Sequence, residues 1–221
     1  MKPTYRAALF DLDGTLLDTL QDLGDSMNEV LRLRGHPVHP VDAYRYFVGE
    51  GASHLVARAF PEGYRDDATV RAGLADYRRV YEQRWNRTTQ PYDGIPEMLD
   101  ALHARGLTLG ILSNKPHGMT IKCVEGFLSR WPFACVLGQR DTVARKPDPA
   151  GAREAAQVMK VSPAEVLYLG DTATDMDTAR AAGMFAVGAT WGFRPESELR
   201  AHGAHAIVHH PDEVLELITK S

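Results

Sequence analysis

The stretch Phe10-Asp11-Leu12-Asp13-Gly14-Thr15-Leu16-Leu17-Asp18-Thr19 decides how the rest of the chain is read. Tyr5-Arg6-Ala7-Ala8-Leu9-Phe10, just before it, is mostly apolar, as expected of a strand buried inside a parallel sheet. Asp11 and Asp13 stand where that strand should end, and open α/β sheets bind ligands at the carboxyl ends of their strands. Spacing i, i+2 in extended backbone aims both side chains the same way. Two like charges that close favour a bound cation or a raised pKa. Gly14 then supplies backbone freedom for a tight turn.

Downstream, the chain changes texture twice. Residues 16–87 carry no convincing strand. Thr19 is placed to cap a helix bearing Leu20, Leu23, Met27, Val30 and Leu31, which Gly35 and Pro37 end. Short helical segments are expected at 41–47 and 52–60, and a longer helix is marked by Val70, Leu74, Tyr77, Val80, Tyr81 and Trp85. From Pro91 onward helices alternate with apolar strands. Strands are expected at 107–112, 133–137, 166–169, 184–187 and 206–208, and helices from Pro96, at 117–128, 149–159 and 174–182, and at 212–218. This alternation predicts an α/β fold, a doubly wound parallel sheet with right-handed crossovers. The expected domains are 1–15 with 88–221 as the α/β core and 16–87 as an inserted helical lobe.

Composition limits the function classes. The chain has 221 residues, 44% of them hydrophobic, enough for a sizeable core. A net charge of −4 and a pI near 6.1 disfavour a nucleic-acid backbone as main partner. No apolar run approaches a membrane span, and the residues before the first strand do not read as a signal peptide. Cys123 and Cys135 are too few for a disulfide framework, which suggests reduced, buried thiols in a cytoplasmic protein.

Three further constellations fall at expected strand ends. The strand at 107–112 runs into Ser113-Asn114-Lys115, where a hydroxyl and an amide can donate to phosphate oxygens; in isolation this is an ordinary turn. Arg145-Lys146-Pro147-Asp148-Pro149 sets Lys146 in a proline-stiffened loop entering a helix. The strand at 166–169 ends in Gly170-Asp171-Thr172-Ala173-Thr174-Asp175, two acids that share a face if the segment turns helically and that could also be helix caps.

Taken in order, these four segments resemble the four motifs of the haloacid dehalogenase-like (HAD) phosphatases, and the resemblance spans essentially the whole chain. It implies a Rossmann-like core with an α-helical cap at 16–87 that closes over a dry site. It also implies a Mg²⁺ ion held by Asp11, Asp171 and the main-chain carbonyl of Asp13, with Asp175 supporting Asp171 or a metal-bound water. Asp11 is the implied nucleophile and Asp13 the acid and base. Ser113, with Asn114 beside it, is the implied phosphoryl binder, and Lys146 the neutralising cation. Asp13 argues for phosphoryl transfer, because the family's dehalogenases lack that second acid. Val48-Gly49-Glu50-Gly51-Ala52 resembles the cap loop of phosphoglycolate phosphatases, as do Asp93-Gly94-Ile95-Pro96 and Thr190-Trp191-Gly192-Phe193 their counterparts. Gly49, Gly51 and Arg45 are therefore substrate-binding candidates. Glu50 replaces the usual asparagine, and Arg45 or Arg58 could offset its charge. The function implied is hydrolysis of a small-molecule phosphate ester, 2-phosphoglycolate first, by a monomer or homodimer. A phosphosugar mutase or sugar-phosphate phosphatase of the same family is the alternative. A phospho-accepting module without turnover, built like receiver domains, fits poorly with a helical insertion this long. Trp191, after a strand end, is a candidate to line the site, whereas His209-His210 reads as a surface turn.

Overall fold

The structure is a computed structural model that describes residues 5–218. The chain divides into two compact units, one formed by residues up to Leu17 and from Pro91 on, the other by Asp18–Gln90. In chain order the strands are β1 (Ala7–Phe10), β2 (Leu17–Asp18), β3 (Gln90–Pro91), β4 (Thr108–Pro116), β5 (Phe133–Gln139), β6 (Val166–Gly170), β7 (Phe185–Ala189) and β8 (Ala206–Val208). Six of them form one sheet in the order β5-β4-β1-β6-β7-β8, and every neighbouring pair is parallel. β2 and β3 pair separately, two short strands that the sequence did not announce.

β1 lies where the strand order reverses: β4 and β5 build outward on one side, β6 to β8 on the other. Phe10 pairs with Ile111 of β4 and Leu169 of β6. Continuing that register, Asp11 leaves the sheet one residue before Ser113 on one side and Asp171 on the other. A parallel sheet thus delivers distant parts of the chain to one edge. β1 and β6 are buried along their whole length, which explains why both read as unbroken apolar runs.

One face of the sheet packs against α6 (Ala150–Val158) and α7 (Ala173–Ala182). Ala152, Ala155, Ala156 and Ala179 meet Leu9, Leu112, Val166 and Tyr168 there, and small side chains let helix and sheet approach closely. The other core helices are α4 (Ile95–Ala104), α5 (His117–Phe127), α8 (Glu196–Ala201) and α9 (Val214–Leu217). α8 is new relative to the sequence reading: six residues with Leu199 alone buried are too few to show a period. The closing helix begins as a 3₁₀ turn at Pro211–Glu213. β4 runs on through Ser113, Asn114 and Lys115 to Pro116, so those residues are strand rather than post-strand turn.

The unit Asp18–Gln90 is helical: α1 (Leu20–Leu33), a 3₁₀ turn at Val41–Tyr46, α2 (Ala52–Ala59) and α3 (Asp67–Glu82). Asp66 caps α3 by accepting from the N–H groups of Ala68 and Thr69. Thr19 sits at the N-cap of α1 but its buried hydroxyl makes no capping bond, which corrects the expected role. α3 ends before Trp85, so only Tyr77 and Tyr81 of the expected aromatic stripe stack within it. Tyr44 is fully buried and donates to Asn28, its ring packed over Gly24, where a Cβ would come within 2.9 Å.

Asp22 fastens the two ends of this unit together. Its carboxylate accepts from the N–H and hydroxyl of both Thr88 and Thr89 at 2.7–3.1 Å. Burial alone would raise its pKa, but these donors bring it below the ordinary carboxylate value. Its stabilisation is therefore present at neutral pH and lost as pH falls through the lowered folded-state value. Asp22→Ala should cost about 1–3 kcal/mol for the donors left without an acceptor. Thermal melts from pH 3 to 7 should show a shallower acid-side decline for Asp22→Asn than for the parent.

Candidate active site

The site is built at the carboxyl edge of β1, β4 and β6. One carboxylate oxygen from each of Asp11, Asp171 and Asp175 lies within 4.8 Å of the other two, and all three residues are buried. Lys146, itself 4% exposed, reaches into this cluster. Its ammonium is 2.6 Å from Asp175 Oδ1 and 3.0 Å from Asp11 Oδ1, and it also donates to the Leu112 carbonyl and the Tyr168 hydroxyl at 3.2 Å. The contact to Asp11 is one of charge: Asp11 Oδ1 is buried and accepts no aligned hydrogen bond.

Each acid has a distinct setting. Burial, then the nearby Asp175 and Asp13 charges, push the Asp11 carboxyl up to about 7 against the opposing pull of Lys146. Asp171 is also raised, by burial first and by Asp175 and Asp11 next, although Phe193 N–H and Thr15 Oγ1 donate to its two oxygens at 2.8 and 2.7 Å. Asp175 has its acceptors filled. Oδ1 takes Lys146 and Tyr168, while Oδ2 takes the N–H and hydroxyl of Thr172 in a capping box that opens α7. The capping role and the site role of this residue are thus one arrangement. Lys146 is raised well above its usual value: burial works against its charge, but Asp11 and Asp175 outweigh it.

The turn after β1 depends on glycine. Gly14 has φ 87°, and a Cβ there would stand 2.4 Å from Asp171 Oδ2. Gly192 is equally confined, a Cβ falling 2.3 Å from both Asp171 Cβ and the Gly14 carbonyl. Between these contacts the Trp191 indole N–H donates to the Thr15 carbonyl at 3.0 Å. The segment after β7 therefore braces the motif that follows β1.

On β4, Ser113 is 4% exposed and its Oγ accepts from Lys115 N–H at 3.2 Å, which keeps the hydroxyl proton available to a ligand. The Asn114 side chain is turned to Lys146: its Oδ1 accepts Lys146 N–H at 2.9 Å and its Nδ2 donates to the Lys146 carbonyl at 3.1 Å. Lys115 donates to both oxygens of Asp13, at 2.9 and 3.0 Å. Sequence reasoning did not select Lys115, Tyr168, Thr15 or Thr172. Lys115 adjoins a motif but reads as an ordinary lysine after a strand, and Tyr168 reads as one more core residue of an apolar strand.

Gly49, Gly51 and Arg45 belong to the helical unit. Gly49 and Gly51 hold φ values of 110° and 91° around the start of α2, Arg45 pairs with Asp42 at 2.6 Å, and Arg58 makes a short ion pair with Glu50. His209 is a surface residue whose ring meets Thr190. Among the described residues no helix is long and apolar enough to cross a membrane.

A parallel sheet with buried acids and a lysine converging beyond β1, where the strand order reverses, defines a doubly wound α/β protein with an acidic site at its switch point. The family model for haloacid dehalogenase-like hydrolase matches residues 8–189, and the chain belongs to that family. A phosphoglycolate phosphatase of Xylella fastidiosa strain 9a5c is 36% identical over 87% of this chain and 83% of its own. An N-acetylmuramic acid 6-phosphate phosphatase of Pseudomonas aeruginosa is 34% identical over 98% and 96%. A crystal structure from Lactobacillus delbrueckii subsp. bulgaricus, provisionally assigned as a phosphoglycolate phosphatase, has a TM-score of 0.92 at 29% identity, covering 99% of this chain and 100% of that one.

The raised acids predict a pH effect of known sign. A carboxyl held above its ordinary value favours the fold below that value and loses this contribution as pH rises through about 7. The metal-free protein should therefore lose thermal stability between about pH 4 and 7, and Asp11→Asn should reduce that loss. Added Mg²⁺ should stabilise more at pH 8 than at pH 5, because protons compete for the same oxygens.

Proposed function

We propose that this protein hydrolyses small phosphate monoesters through an aspartyl-phosphate intermediate. The observation that carries the reading is Asp11 Oδ1: a buried carboxylate oxygen without a hydrogen-bond donor, at the meeting point of Lys146 and two other acids. The donor set fits a hard divalent cation, which prefers oxygen ligands and keeps several of its waters. Asp11, Asp171 and the Asp13 carbonyl would hold Mg²⁺, and Asp175, its oxygens already engaged, would act on the ion indirectly. When bound, the ion supplies charge neutralisation between nucleophile and phosphate.

In the first step an Asp11 oxygen attacks phosphorus, the bond from phosphorus to the ester oxygen breaks, and Asp13 gives that oxygen its proton. In the second, water attacks phosphorus and passes a proton to Asp13, and the bond from Asp11 to phosphorus breaks, releasing phosphate. Lys146 and the Ser113 hydroxyl hold the equatorial oxygens, where charge is spread in the transition state. Asn114 serves by fixing the Lys146 main chain, and Asp175 with Tyr168 by fixing its ammonium. Lys146 also offsets the buried negative charge that would otherwise leave Asp11 protonated and unreactive near pH 7.

The first substrate candidate is 2-phosphoglycolate, on which several relatives are named. A sugar phosphate is the second reading. It is favoured by the Pseudomonas aeruginosa relative, which matches nearly the full chain. A phosphate-release screen with Mg²⁺, comparing 2-phosphoglycolate, N-acetylmuramic acid 6-phosphate and hexose phosphates, decides between them. Repeating it with a hexose bisphosphate primer tests for mutase turnover. Asp13→Asn should lower kcat/KM on alkyl phosphates by about 10²–10⁴-fold. Asp11→Asn should abolish both turnover and the acid-stable phosphoprotein detected after quenching with labelled substrate. Turnover by Asp11→Asn with deamidation excluded would remove the reading.

A further inference from the structure

The acid–base residue has its own cation. Lys115 Nζ lies 2.9 Å from Asp13 Oδ1 and 3.0 Å from Oδ2, so the ammonium grips the carboxylate by both oxygens. The lysine side chain is 4% exposed against 18% for Asp13, so the pair meets solvent mainly on the Asp13 side. This contact differs in kind from exposed ion pairs, whose long side chains wander and contribute little.

The lysine is itself held at its backbone. Its N–H donates to Ser113 Oγ at 3.2 Å, and its carbonyl accepts from Thr120 Oγ1 at 3.1 Å. Gly138 on the adjacent strand leaves room for that carbonyl, since a Cβ there would come within 2.8 Å of it and 2.4 Å of Thr120 Oγ1. A chain of fixed contacts thus runs from β5 and α5 through Lys115 to the end of the Asp13 side chain. Lys146 has no part in it and serves Asp11 and Asp175 instead.

We propose that Lys115 is a positioning residue for Asp13: its ammonium fixes the rotamer from which Asp13 hands a proton to the departing ester oxygen. The proposal rests on the acid–base role given to Asp13 above. Proton transfer demands hydrogen-bond geometry at that oxygen, and misplacement by about 1 Å costs on the order of 10²-fold. An Asp13 released from Lys115 spreads over several rotamers and meets the leaving oxygen in only some of them.

The dependence of kcat/KM on the leaving group tests this, since kcat/KM reports steps up to phosphoenzyme formation. Alkyl phosphates need a proton as they depart; aryl phosphates with acidic phenols need it far less. Lys115→Met should lose at least about tenfold more kcat/KM on alkyl than on aryl phosphates. Lys115→Gln carries the same expectation if the methionine variant does not fold. Asp13→Asn should show the same discrimination, and adding Lys115→Met to it should not sharpen it further. Equal losses on the two ester classes from the folded lysine variants, with Asp13→Asn still discriminating, would overturn the role of Lys115 alone. An Asp13→Asn variant that does not discriminate would overturn the acid role itself, and the inference with it.

Discussion

One buried ammonium makes this site possible. Asp11, Asp171 and Asp175 place three carboxyl groups within 4.8 Å at the buried edge of a sheet, where like charges in low dielectric repel strongly. Lys146 enters that cluster and touches two of the three. Removing one partner of a buried ion group typically costs about 3–5 kcal/mol, because the charge left behind is uncompensated. The pull of Lys146 on Asp11 is not enough to restore an ordinary carboxylate: burial still holds it near 7. The protein alone therefore leaves a net negative charge in this cluster, which the proposed divalent cation would offset.

Much of the remaining architecture holds that ammonium in place. Asn114 fixes the Lys146 backbone through two hydrogen bonds, and Asp175 is fixed by the capping box that starts α7. Tyr168 fills the space between lysine and acid from inside β6. Beyond β7, Trp191, Gly192 and Phe193 press the turn after β1 against Asp171. Positive charge, helix cap and glycine turn are thus consequences of one requirement, that several acids share a dry space.

That requirement also explains what could be read from sequence. Asp11 and Asp13, at a strand end with a glycine behind them, are legible from type and position, whereas Lys146, Asp171 and Asp175 also suit a loop or a helix cap and become legible through the ordered resemblance to the family's four motifs. The alternation of strands and helices made the parallel sheet legible. Other features were hidden because their residue types suit blander roles. Tyr168 is indistinguishable from core in an apolar strand. Asn114 looked like a phosphate donor, and only the path of the 145–149 loop turns its amide toward Lys146. Thr19 has the right type and position for a cap, yet its buried hydroxyl makes no capping bond. The short helix α8 has too few residues to express a period.

Lys115 shows where such reading stops. In sequence it is a lysine after a strand, a residue type that usually reaches into water, and although it follows Ser113-Asn114, its own type does not distinguish it from Lys122 or Lys160. What sets it apart is that β4 continues through it. An extended segment alternates its side chains from face to face. Lys115 reaches Asp13 beyond the end of β1, while Asn114 before it turns to the Lys146 loop. One strand thereby sends an ammonium to the proposed acid–base residue and an amide to the support of Lys146. The strand is irregular against β5 between Leu112 and Pro116, so this division of labour rests on the contacts that Lys115 and Asn114 make and is not fixed by the pleat.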